Sequence, residues 1–319
     1  MKLQWRDPDM SFGKWIKTIL LVGLPFLLLY AAGKPILQSY VLAHPRRLVA
    51  ELSAADVGVP VERVTFQATD GVELVGWFVP GEGGEARGGG TVVYSHGSGT
   101  NGPEMYSRAA FLNRAGYNVF LFDHRAHGQS GGRATTLGPL EVRDLDGAVA
   151  YLRSRPDVDP ERIGAWGGSM GAGVVIGAAA GNPAIRAIVA DSVYADMAEL
   201  WHRFGYVGIR RTPIRWSWGV PMRWATWLWT GEDIAAFKPV ELIARIGPRP
   251  VLIIHGERDN GACTVSDARR LYRASGEPKE LWIVPGAGHG AAHALYPQEY
   301  ETRVRAFFDA ALAAPAPSP

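Results

Sequence analysis

Ser169 stands in Gly167-Gly168-Ser169-Met170-Gly171, where the apolar run RIGAWGG gives way to the small-residue run MGAGVVIGAAAG. A serine on a sharp strand-to-helix turn is forced into a strained backbone. Small neighbours let the adjacent chains approach, and the Oγ stands exposed. The helix that follows points its first N–H groups at any negative charge that develops there. That is equipment for nucleophilic attack on a carbonyl. Such a serine needs a base, an acid that orients the base, and donors for an oxyanion. His289 in GAGHG sits just past the last apolar run. Asp259 in HGERD sits just past the one before it. The order Ser169, Asp259, His289 is one of the recurring orders for such a triad. The oxyanion donors expected are the N–H of Met170 and that of Ser98, in the turn after TVVYSHG.

Each assignment has a competitor. His293 lies four residues beyond His289. Asp191 follows an earlier apolar run and is a second position for the acid, and Glu257 is a third. His96 and His255 read as strand-end residues, and Asp123 and Arg125 as braces for the oxyanion turn. Gly167, Gly171 and Gly173 also outline a dinucleotide-binding turn, with Asp191 downstream. That reading leaves HGERD and GAGHG without a role. A catalytically silent binding module is a further alternative, although all three triad positions are occupied. Epoxide or halide chemistry would want an acidic nucleophile, so Ser169 points to acyl transfer. No cofactor is expected. No His, Cys, Asp or Glu cluster has metal-ligand spacing, and Cys263 is the one cysteine.

The landmarks HGSG (96–99), DHRAHGQS (123–130), GGSMG (167–171), HGERD (255–259) and GAGHG (286–290) resemble those of the α/β-hydrolase superfamily over residues 60–312. DHRAHGQS is similar to that family's Asp-x-Arg-Gly-x-Gly-x-Ser loop, with Ala126 where glycine is usual. Together with the N-terminus, the set resembles a membrane-tethered branch that includes thioesterases, lipid esterases and serine-aminopeptidase-like members. The resemblance implies an α/β-hydrolase fold and a serine hydrolase acting on a carboxylic ester or thioester. A peptidase is the alternative. No Glu-Glu pair to hold a peptide N-terminus occurs in 196–235, although Glu199, Glu232 and Asp233 are available.

The elements that must position these groups are legible as alternation. VERVTFQA and VELVGWFVP flank Asp70-Gly71, a hairpin turn. Strands are expected at TVVYSHG, 117–124, 162–169, 185–192, 251–259 and 280–289. Helices are expected at 103–115, 138–154, 170–181, 264–275 and 297–312. This predicts a mostly parallel, doubly covered α/β sheet with an antiparallel N-terminal edge. Residues 81–90 read as a flexible loop and 313–319 as a disordered tail. Residues 196–235 hold no obvious strand and six of the 11 tryptophans, with Arg203, Arg210, Arg211, Arg215 and Arg223 interleaved. This segment reads as a helical cap over the sheet's C-terminal edge. Its tryptophans either pack the cap onto the core or, with the arginines, meet lipid headgroups; an apolar lid favours an acyl or aromatic substrate.

Residues 1–40 are set apart as an anchor or signal segment, with 41–312 as the catalytic domain. Thr18–Gly33 carries no charge between Lys17 and Lys34. As a helix it spans roughly 24 Å, against a hydrocarbon core of about 30 Å. Trp15, Ile16, Pro35, Ile36 and Leu37 extend it, and membrane helices tolerate Pro25. A single-pass anchor is expected, the alternatives being a cleaved signal peptide or a buried core helix. Lys2, Arg6, Lys14 and Lys17 precede the segment, and Lys34, Arg46 and Arg47 follow it. That narrow margin places the N-terminus in the cytoplasm and the catalytic domain outside. The partners expected are a small or lipid-like acyl substrate and a membrane. A net charge of +2 from 33 basic and 31 acidic residues gives no case for nucleic acid.

Overall fold

A computed structural model of the chain describes residues 12–82, 90–208 and 215–313. The strands are β1 (Glu62–Gln67), β2 (Glu73–Val79), β3 (Thr91–Ser95), β4 (Asn118–Phe122), β5 (Ile163–Gly168), β6 (Ile185–Asp191), β7 (Tyr206–Gly208), β8 (Arg215–Ser217), β9 (Val251–Gly256) and β10 (Lys279–Val284). The helices are α1 (Phe12–Thr18), α2 (Leu24–Ala43), α3 (Ala54–Val57), α4 (Tyr106–Arg114), α5 (Pro139–Ser154) and α6 (Met170–Gly181). They continue with α7 (Met197–Phe204), α8 (Gly219–Thr230), α9 (Pro239–Leu242), α10 (Val265–Ala274), α11 (Ala292–Leu295) and α12 (Pro297–Ala311).

Eight strands form one sheet in the order β1-β2-β4-β3-β5-β6-β9-β10. Antiparallel pairing is confined to the β1–β2–β4 edge, and the other neighbours run parallel. The composition explains this split. Strands β3, β4 and β9 are apolar and buried along their whole length, as parallel strands covered on both faces must be. β1 alternates exposed and buried residues over its second half, as a half-solvated edge does. Helices α5, α6 and α10 close one face around Leu145, Val175 and Leu271. Helices α4 and α12 close the other around Leu112, Val304 and Phe308. The C-terminal ends of the parallel strands therefore open at one rim, where the loops carrying Ser98, Ser169, Asp259 and His289 meet.

The segment 196–235 leaves between β6 and β9 and contains α7 and α8. It also contains a short antiparallel pair, β7 with β8, that the sequence reading omitted. Three-residue strands are too short to leave a pattern in the sequence. Most of the loop at 81–90, the tail 314–319, Arg210 and Arg211 lie outside the described residues.

The N-terminal helix is longer than its uncharged stretch. Trp15–Ala43 is one continuous apolar helical run of 29 residues, with a five-residue π segment at Ile19–Gly23. It crosses the boundary placed at residue 40. Pro35, Ser39 and Ala43 are buried at a spacing of four, so one face of α2 docks on the domain.

Two acids, exposed Asp70 and buried Asp144, tie the hairpin edge to the loop after β4. Arg125 donates to Asp70 through both terminal nitrogens at 2.8 Å and to Asp144 Oδ1 through Nε at 2.8 Å. The hydrogen bond from Arg125 holds the Asp70 carboxyl down at about 2. Asp144 is fully buried and Arg125 is 4% exposed. Asp144→Ala leaves a buried guanidinium half-compensated, which costs about 3–5 kcal/mol. The expected result is a urea midpoint lowered accordingly with an unchanged slope, and an unmoved midpoint would show that the network contributes no net stability.

Candidate active site

The elbow at Ser169 is built by contacts that only glycine allows. A Cβ on Gly167 would lie 2.1 Å from the Gly171 carbonyl oxygen, and one on Gly171 would lie 1.9 Å from that of Ser95. Strand β5 therefore turns into α6 against β3 with no space for a side chain. Ser169 takes up the turn at φ 54° and ψ −115°. Such a non-glycine conformation costs on the order of 1–3 kcal/mol and persists only where its surroundings enforce it. One enforcing bond is the Ser169 N–H to the Asp191 carbonyl, 2.8 Å.

Three distant side chains converge here. His289 Nε2 lies 2.9 Å from Ser169 Oγ, and His289 Nδ1 lies 2.7 Å from Asp259 Oδ2. An ionised carboxylate only accepts, so Nδ1 carries the proton toward Asp259 and Nε2 is left to accept from the serine hydroxyl. Asp259 is buried at 4% exposure, while the His289 side chain is 42% exposed. The hydrogen bond to Asp259 raises the His289 pKa above 6.5 against the opposing effect of burial, and the charges of Asp259 and Asp191 add to the rise.

The competing residues are engaged elsewhere. His293 pairs with Glu301 at 3.1 Å, and Glu257 accepts from the Gly286 N–H at 2.9 Å. Asp191 accepts from Ser192 Oγ and from the Tyr300 hydroxyl, both at 2.8 Å. Ser192 Oγ in turn accepts from the Gly290 N–H at 3.0 Å. Asp191 thus bonds the nucleophile's own N–H through its main chain and the histidine loop through Ser192. Sequence reading missed this brace. Its one local trace is Asp-Ser at the end of β6, which nothing distinguishes from an ordinary turn. His255 is fully buried, and that burial lowers its pKa; its Nε2 is 3.5 Å from Asp259 Oδ2 without forming a hydrogen bond.

The oxyanion side is mixed. Met170 is the first residue of α6, so its N–H has no intrahelical acceptor. Ser98 is exposed, and the cavity wall beside Ser169 comes from its neighbours Gly97 and Thr100. Any donor from this turn is therefore a main-chain group. Asp123 braces the turn, accepting from Gly102 and Gln129 N–H at 2.7 and 2.8 Å, whereas Arg125, expected beside it, is bonded to Asp70 and Asp144; His96, read as a strand-end residue, accepts from the His124 N–H through Nε2 at 2.9 Å. Ala126, the departure from the resembled loop, has φ 60°, the left-handed region that glycine occupies without strain.

A cavity of about 280 Å³ opens over Ser169 and His289, walled by Tyr94, Met105 and Arg108. Arg108 donates to the Gly290 carbonyl at 3.0 Å, and neither Tyr94 nor Arg108 was anticipated. Among the described residues, none from 196–235 lines this cavity. The cap's tryptophans divide: Trp201 is buried at 1%, whereas Trp224 and Trp227 are 64% and 48% exposed. Two of its arginines are paired. Arg203 pairs with Asp267 at 2.6 Å and Arg223 with Asp233 at 2.9 Å.

The hydrogen bond from His289 to Asp259 has a direct readout. In an NMR titration, His289 is expected to protonate above pH 6.5 in the native chain and at lower pH in Asp259→Asn, where the favourable charge is gone. Equal midpoints in the two chains would show that Asp259 does not act on the imidazole.

The chain matches the family model described as Alpha/beta hydrolase family over residues 92–303. It is 30% identical over 236 residues to the uncharacterized protein YfhR of Escherichia coli O157:H7, covering 72% of this chain and 73% of that one. It is 30% identical over 274 residues to the uncharacterized protein MT2364 of Mycobacterium tuberculosis, covering 84% and 88%. Among solved structures it superimposes on the Pyrococcus furiosus esterase Pf2001 with a TM-score of 0.69 and 28% identity, over 85% of this chain and all of that one. The Pyrococcus horikoshii acylaminoacyl peptidase, 19% identical, shares the fold over 81% of this chain and 43% of its own, with a TM-score of 0.59. The sheet order, the elbow and these matches together place the chain in the alpha/beta hydrolase family.

Proposed function

We propose that the protein is a serine hydrolase that cleaves a carboxylic ester or thioester through an acyl-enzyme. The observation that carries this reading is the unbroken hydrogen-bond chain from Ser169 Oγ through His289 to Asp259. The similarity to an esterase of known structure supports it.

In this mechanism Ser169 Oγ attacks the carbonyl carbon while its proton passes to His289 Nε2. Asp259 stabilises the imidazolium that results. The carbonyl oxygen becomes an oxyanion facing the N–H groups of Met170 and Ser98. One such donor is worth about 3 kcal/mol in related chemistry. The intermediate collapses with the His289 proton leaving on the alcohol or thiol. Water, deprotonated by His289, then releases the acid and restores the serine. Tyr94 and Met105 make one wall of the cavity apolar, which suits an acyl chain or an aromatic group.

We also infer that the N-terminal helix is a membrane anchor. The most apolar 18-residue window of this 29-residue helix has a mean hydropathy of 1.9, and none of that window is buried. At 1.5 Å per residue such a helix is about 43 Å long, enough to cross a bilayer with its last turns left to dock on the domain. The narrow excess of basic residues before it favours a catalytic domain on the extracytoplasmic side. Full-length protein is expected to stay in the membrane pellet through an alkaline carbonate wash, and its release would set the anchor aside.

Hydrolysis of p-nitrophenyl esters of increasing acyl length tests the chemistry. Turnover is expected in the native chain, with loss to background and loss of fluorophosphonate labelling in Ser169→Ala. His289 must be neutral to accept the serine proton, and its pKa is raised. The acidic limb of kcat/KM is therefore expected to lie above pH 6.5, with activity rising as pH increases through it. Asp259→Asn is expected to lower kcat by on the order of 10⁴. An unlabelled Ser169 and no ester turnover would leave a fold without this activity.

A further inference from the structure

Helix α8 is apolar on two faces. Gly219, Met222, Ala225 and Thr226 point inward and are buried. Val220, Trp224, Trp227 and Leu228 repeat at the same helical spacing on the outer side, where they are 60%, 64%, 48% and 67% exposed. A helix that is hydrophobic all round belongs in a protein core or in lipid. The one charged residue of α8, Arg223, is turned into an ion pair with Asp233.

This outer stripe is continuous with the apolar N-terminal helix. α8 packs along the second half of α2. Trp229 Nε1 donates to Ser39 Oγ at 3.2 Å, and its ring meets Tyr40 edge-on with centroids 5.5 Å apart. Gln38 Nε2 donates to the Phe204 carbonyl at 2.7 Å, tying α2 to α7 as well. Beyond the domain, the Thr135 N–H donates to the Ala43 carbonyl at 2.8 Å, and Arg47 donates to the carbonyls of Ser130 and Gly132. The end of the anchor is therefore fixed to the cap by side-chain and main-chain bonds rather than joined by a loose linker. The face of α2 that does not dock carries Leu37 and Val41, exposed at 65% and 60%.

We propose that the outer face of α8 is a lipid-docking surface, seated in the interface of the bilayer that holds the N-terminal helix. This rests on the anchor reading of that helix. The chemistry of the patch fits this occupant. Tryptophan favours the headgroup level, where its ring is apolar and its N–H wet. Leu228 and Val220 flank it on the same stripe, and an exposed apolar stripe of this kind marks an interaction surface. A helix lying in the interface buries its apolar face about 5–10 Å into the headgroup and acyl boundary. The bilayer covers both exposed faces at once, since α8 and the end of α2 lie side by side. The docked cap fixes the domain's orientation, so the rim that carries Ser169 is held at a set height above the lipid instead of swinging on a tether.

Spin labels on the full-length chain in phosphatidylcholine–phosphatidylglycerol vesicles test this. Single cysteines are placed at Leu228 in the cap, Leu28 in the anchor and Ser154 at the far end of α5. The native Cys263 is buried with its thiol pushed far up by that burial, so it does not compete for label. Collision with oxygen is compared with collision with a water-soluble nickel complex. The labels at Leu28→Cys and Leu228→Cys are expected to favour oxygen and the label at Ser154→Cys to favour nickel. A Leu228→Cys label as open to nickel as the Ser154→Cys one, while the Leu28→Cys label stays in lipid, overturns the docking surface and leaves the anchor standing. A Leu28→Cys label in water overturns the anchor, whatever the label on the cap reports.

Discussion

The elbow at Ser169 is the constraint on which the rest of the site depends. Three chain segments, the ends of β3 and β5 and the start of α6, meet so closely that a Cβ on Gly167 or Gly171 would collide with a backbone carbonyl. That crowding forces Ser169 out of the common backbone regions, and the sheet around it supplies the stability that offsets the strain. The same crowding aims the Oγ at the rim and leaves the Met170 N–H at a free helix end. A looser turn would relax the serine into an ordinary conformation and lose both features at once.

Around that turn, buried polar groups are joined in pairs and chains, with Asn101 Nδ2, His127 Nε2 and the ring nitrogens of His255 as exceptions. Asp123 and His96 fix the loop after β3, and Arg125, Asp70 and Asp144 fix the loop after β4 to the first hairpin. Asp191 joins the nucleophile's backbone to the histidine loop through Ser192. A buried network of this kind is rigid because each unpaired member would carry a desolvation cost of about 1–3 kcal/mol. Rigidity is what the site needs, since Ser169, His289 and Asp259 come from three separate loops. Asp259 is buried while His289 is part-exposed, so the acid is held still and the base keeps access to solvent.

The cap and the N-terminal helix form a second physical unit. Met222, Trp201 and Ala225 are packed inward, and the outer stripe of α8 is not. Arg203 and Arg223 are committed to Asp267 and Asp233, and the outer stripe of α8 offers aromatic and aliphatic surface. The described part of the cap meets the N-terminal helix, while the cavity over Ser169 takes Tyr94 from β3 and Arg108 from α4.

The alternation of apolar runs and helical stretches determined the sheet, its parallel character and its antiparallel edge, because burial on both faces requires continuous apolar strands. The spacing of GGSMG, HGERD and GAGHG determined which loops reach the rim, since each follows directly on a strand. Sequence could name Ser169, Asp259 and His289 as partners only as groups at strand ends; the 2.7 and 2.9 Å contacts between them come from three loops folding over one rim. The short β7–β8 pair left no period to read. The Asp191–Ser192–Gly290 brace joins residues about a hundred positions apart, and a long-range hydrogen bond has no local signature. Tryptophan content likewise marked 196–235 as unusual without dividing Trp201 from Trp224. Which face of α8 is inward depends on α2 and the core it meets, and only the tertiary structure decides that.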